Sequence, residues 1–168
     1  MPEAMPEPWL RGPIDGVDPR VSPLLFSFQQ ALEDLRECLD GLTADQIWSR
    51  PQGLTPLGFH VRHAGGAAAR LATYLRGESL TGEQLELMRG ESNPGASAQE
   101  LLSELEEALN RVAAYARTIP TASLGEVRHV GRLRLPTTVQ GLLVHIAEHT
   151  QRHVGQAVTT AKLLRGPG

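Results

Sequence analysis

HIAEHTQRHVGQ, residues 145–156, holds three of the chain's six histidines at intervals of four. A helix turns by about 100° per residue, so side chains four apart stack on one face. The apolar residues Leu142, Ile146 and Ala157 run beside that face. The segment therefore reads as a long amphipathic helix whose imidazoles project toward a helical interior. It opens near Pro136-Thr137-Thr138 and runs to about Leu164.

Three further helices follow from the same period. Ser22-Pro23 is a start signal, and Leu24, Leu25, Phe28, Leu32, Leu35, Leu39 and Leu42 form one stripe after it. Thr43 to Gln46 is a capping box for a short extra turn. Thr55-Pro56 opens a second helix that reaches Arg76-Gly77. His63, Ala67, Arg70 and Tyr74 share one of its faces. Gly65, Gly66 and the alanines 67–69 leave that helix little bulk, which suits either a close-packing seam or a substrate niche. Ser97 to Glu100 is another capping box. It opens a third helix striped by Leu101, Leu105, Leu109 and Val112 and closed by Pro120.

The connections are less regular. Gly82 to Met88 suits a further helical turn, and ESNPGAS, residues 91–97, reads as a linker. Arg132 to Leu135 alternates as a strand would, over a short run. Residues 1–20 are rich in Pro, Gly and charge and read as an irregular arm, with Trp9 and Leu10 expected to pin it. The expectation is an all-α four-helix bundle over residues 21–165, preceded by that arm.

Composition narrows the function. The chain has 168 residues, 40% of them apolar, and a net charge of -3, with no clustered basic face for nucleic acid. No run approaches the ~20 apolar residues of a membrane span, and no leader is visible. The single cysteine, Cys38, fits a reducing compartment and sits at the edge of an apolar stripe, where a small buried residue belongs. These features give a cytoplasmic protein with no nucleic-acid or membrane partner.

The histidines point to a metal. Neutral imidazole is a common transition-metal ligand, and two on adjacent turns can chelate one ion. His145 and His153 are about 12 Å apart along the axis, too far to share an ion. The pair is therefore His145 with His149 or His149 with His153. A third ligand must come from another helix, from His60 or His63 in GFHVRHAGG. HExxH is absent, because Ile146 follows His145 and Thr150 follows His149. The only Glu-x-x-His spacing, Glu126 to His129, lies in the irregular region, so a di-iron bundle does not fit.

HIAEHTQRHVGQ and LGFHVRHAGGAAARLATYLRGE together resemble the DinB-like family, in which a His-x3-His on the last helix shortly precedes Gly-Gln. Here those residues are His149, His153, Gly155 and Gln156. The resemblance covers most of the chain after residue 20. It implies a metal site of His63, His149 and His153, with His60 excluded and His145 a neighbour. It also implies a divalent metal such as zinc or nickel, a homodimer, and in some members thiol transfer with a low-molecular-weight thiol.

Two functions are compatible with this reading. One is a metal-dependent thiol S-transferase acting on small electrophiles, with Arg70 and Tyr74 as candidate ligand contacts. An exposed salt bridge and a core-edge phenol are the plainer roles for those two. The other is a non-catalytic, stress-related metal-binding bundle, since no obvious general base lies beside the histidines.

Overall fold

Caps and prolines set the helix starts. In the computed structural model, which describes residues 5–166, six helices and one hairpin follow in order. They are α1 (Ser22–Leu39), α2 (Ala44–Trp48), α3 (Leu57–Leu75), α4 (Gly82–Gly90), α5 (Ala98–Ala116), β1 (Val127–Val130), β2 (Leu135–Thr138) and α6 (Val139–Arg165). Thr43, Thr81 and Ser97 each close a capping box with the Gln or Glu three residues on. Such caps satisfy amide donors that the first turn leaves free.

The four long helices make a ring. α1 and α3 each pack on both α5 and α6. Their stripes meet in one core, with Leu35, Leu57, Leu75, Leu101 and Ile146 sealed from solvent. The fold is all-α, as the periodicity predicts. Cys38 lies in the core, where burial pushes its thiol up to about 11. It is an inert packing residue.

Gly65 and Gly66 have different duties. A Cβ on Gly65 would lie 3.3 Å from that of Ala108, so Gly65 is a packing seam against α5. A side chain on Gly66 would meet the carboxylate of Glu91.

Three expectations change. Of Arg132 to Leu135 only Leu135 lies in a strand, as the first residue of β2. Gly131 to Arg134 form the turn between β1 and β2, with both end residues at positive φ. Pro136 lies within β2, and α6 begins at Val139 with Thr138 as its cap. Residues 91–97 form the expected linker, between α4 and α5, and it is tied down: Arg62 donates to the Asn93 carbonyl at 2.8 Å, and Trp48 to that of Ala96 at 2.8 Å. The first four residues of the expected arm lie outside the described residues. Trp9 and Leu10 are 60% and 55% exposed and do not pin it. Buried Pro8 and the Arg11–Glu33 ion pair hold it instead.

Hydrogen bonds set the rotation of α6. Gln151 donates to the Ser27 carbonyl at 2.8 Å, and the Ser27 hydroxyl donates to that of Ala147 at 3.1 Å. The polar seam against α1 faces away from the histidines, which turns His149 and His153 toward α3.

Candidate metal centre

His63 leaves α3 one turn below Gly66, and His149 and His153 leave α6 on consecutive turns. The structure brings these three together: one ring nitrogen from each lies within 4.8 Å of the others. Zinc–imidazole bonds of about 2.0–2.1 Å would place tetrahedral ligand nitrogens roughly 3.3–3.5 Å apart.

The rings are held from behind. The Nδ1 of His63 meets Glu91 Oε2 at 2.6 Å, and Arg70 donates to Glu91 Oε1 at 2.5 Å. Glu91 is only 4% exposed and Arg70 8%. A carboxylate holding Nδ1–H leaves the Nε2 of His63 as its lone-pair nitrogen. His153 is held likewise: its Nδ1 lies 3.1 Å from Nδ1 of His60. Phe59 stacks on the His63 ring at 5.1 Å and stands edge-on to His153 at 6.3 Å, an apolar wall beside the rings.

Burial favours the neutral form of the two α6 histidines. Burial pulls His153 down to about 4, helped by the neighbouring His63 and His149. His149 is lowered for the same first reason, with His63 the next contributor. A neutral imidazole is the ligating form, so the donor set suits a borderline transition metal.

The geometry sorts the sequence candidates. His149 pairs with His153 rather than with His145. His145 is exposed, lies beside the His149 ring, and pairs with Glu148 at 3.3 Å. His60 is 6% exposed and lies behind His153. Tyr74 is a core-edge residue, as its plainer role requires. Arg70 departs from its plainer role: its salt bridge is buried rather than exposed, and it acts on Glu91. Glu91 is the residue that sequence reasoning misses. Its only signal is indirect, in the stripped surface at Gly65 and Gly66 beside Arg70.

The family model that describes the DinB superfamily matches residues 27–157. The chain belongs to the DinB superfamily. No curated protein matches it. In this DinB chain all three converging histidines fall inside the matched span. The Glu91 that orients one of them is supplied by the short connection between α4 and α5. None of the helices described is long and apolar enough to cross a membrane.

Proposed function

We propose that this DinB protein holds a divalent ion, zinc or nickel, through Nε2 of His63, His149 and His153, and uses it to transfer a small thiol to an electrophile. The observation behind the reading is the convergence of three imidazoles, two of them held at Nδ1. Three protein ligands leave a coordination position open, the pattern of catalytic rather than structural zinc. A divalent ion there lowers the pKa of a thiol that reaches it and so supplies a nucleophile at neutral pH.

The chain's residues would do the rest. Glu91 and Arg70 hold His63 in one orientation, and His60 does so for His153. Phe59 offers an apolar face to the electrophile. In the transfer the thiol loses its proton, its sulfur forms a bond to the electrophilic carbon, and the leaving group departs with its electron pair. Glu91 is committed to His63 and Arg70, and Glu148 to Arg152 and His145, so the thiol proton passes to water.

Lack of a free base also favours a second reading, a non-catalytic bundle in which the ion clamps α3 to α6. Two measurements decide. Elemental analysis with zinc and nickel titration tests the site. Conjugation of several small thiols to a chromogenic electrophile, with and without metal, tests the reaction. A metal-dependent rate supports the transferase, and bound metal with no rate for any thiol supports the clamp.

A further inference from the structure

A cavity of about 520 Å³ lies between the N-terminal arm, α1 and α6. That volume is within the range of small-molecule sites, roughly 300–1,000 Å³. Its wall joins Trp9 and Phe26 to Glu7, and no basic side chain lines it. Large aromatic rings are scarce in this chain, which has three phenylalanines and two tryptophans, yet one of each is here. Trp9 is 60% exposed and does not anchor the arm, so packing alone gives it no role.

The hydrogen bonds around the cavity set the charge it can accept. Trp9 Nε1 donates to Glu7 Oε2 at 2.6 Å. The Ser27 hydroxyl donates to the Ala147 carbonyl at 3.1 Å, and Gln151 donates to the Ser27 carbonyl at 2.8 Å. Gln30 donates to Asp34 at 2.7 Å, and its own oxygen is sealed from solvent. Each donor group on the wall is thus already bonded to a protein acceptor, which leaves an anion poorly served. Arg11, on the same arm, is spent on Glu33. The carboxyl of Asp34, behind Gln30, is raised above its ordinary value by burial first, then by Glu37, Glu33 and Glu7. The carboxylates at this part of α1 and the arm therefore create a field that favours a cation.

We infer that this cavity binds an organic cation of the quaternary-ammonium class, with the Trp9 and Phe26 rings against its methyl groups and the Glu7 carboxylate as counter-ion. Aromatic faces attract a cation through their quadrupole, and tryptophan does so best. An ammonium that keeps its protons needs about three acceptors, and the one charged acceptor on this wall is Glu7. A fully methylated head has no N–H to satisfy and loses least on leaving water. The site needs no metal, and it stands apart from the histidines, which face α3.

The test uses the full-length chain and three probes of one shape: choline, 3,3-dimethylbutan-1-ol and 3,3-dimethylbutyrate. Their bulky ends match, while their charges are positive, zero and negative. Titrations are followed by NMR at the Trp9 indole N–H and the Gln151 side-chain amide. The Trp48 indole, bonded to the Ala96 carbonyl, serves as a control that should not move. Choline should bind about fivefold tighter than the alcohol, the yield of one exposed cation–π contact, and the carboxylate should not bind. Trp9→Leu keeps an apolar wall without a π face. It should bring choline down to the alcohol, read at the Gln151 amide. Glu7→Gln should weaken choline, with a loss that shrinks at high salt. Equal affinity for choline and the alcohol overturns the inference. So does a choline preference that survives Trp9→Leu, a response at Trp48 in place of Trp9, or no choline binding at millimolar concentration. None of these outcomes bears on the metal reading, because no step of the measurement uses an ion.

Discussion

His149 and His153 share a face of α6 with one turn between them, and His145 lies a further turn away, beside His149 but facing solvent. Each change there has its own expected outcome. His149→Ala, His153→Ala and His63→Ala should each abolish tight zinc binding, while His145→Ala leaves most of it. His60→Ala should weaken binding less than His63→Ala. Competition titrations with a chromophoric chelator read all five. A crippled His145→Ala with an unaffected His153→Ala would reject the pair. Glu91→Gln keeps the size but weakens the hold on His63 and strands Arg70, and should lower zinc affinity about 10–100-fold. In the same titration, an unchanged affinity would remove Glu91 from the site. The histidines are legible in sequence because helical geometry converts spacing directly into a shared face. Glu91 is not, because nothing local ties it to a histidine 28 residues earlier.

Helix by helix, Gly66 shows how backbone approach controls the site. A Cβ there would overlap the Glu91 carboxylate and lie 2.9 Å from an Arg70 guanidinium nitrogen. Gly66→Ala should cost about 1–3 kcal/mol as overpacking and also weaken zinc binding, although the residue is no ligand. Thermal unfolding and zinc titration check the two effects, and loss of stability with intact zinc affinity would reject the link. The long helices are legible because each has an apolar stripe and most a Ser, Thr or Pro near the start. The hairpin is not. β1 and β2 are exposed or half-exposed throughout, so no buried face imposes alternation on their sequence. Their register depends on the Gly131–Arg134 turn and on tertiary bonds, such as Arg128 donating to the Leu75 carbonyl at 2.8 Å.

For the molecule as a whole, the buried histidines make stability depend on pH. Burial holds His60 and His153 near 4, and His149 is also below the ordinary 6.5. Below 6.5 the unfolded chain therefore binds more protons than the folded one. The metal-free protein should be fully stable above about 6.5 and lose stability as pH falls toward 4. Melting temperatures across that range test this, and a flat profile would reject it. Zinc should raise the melting temperature at neutral pH in proportion to the logarithm of its free concentration. We also propose that the chain forms a homodimer. Leu87 and Met88 on α4 and Val144 on α6 are exposed apolar residues that a partner could cover. Light scattering at micromolar concentration should give twice the chain mass, and a monomer would reject the dimer.

The polar seam between α1 and α6 joins residues some 120 positions apart, and Arg165 reaches back to carbonyls at the end of α1. During synthesis on the ribosome, α1, α3 and α5 emerge while the groove for α6 is still empty. His63 is then the sole member of the trio available. An ion cannot be captured with three histidines until the last helix has left the exit tunnel and docked. A nascent or truncated chain is thereby denied a half-built centre that would bind metal loosely and release it. If the trio holds an ion as proposed, its uptake waits until α6 has docked.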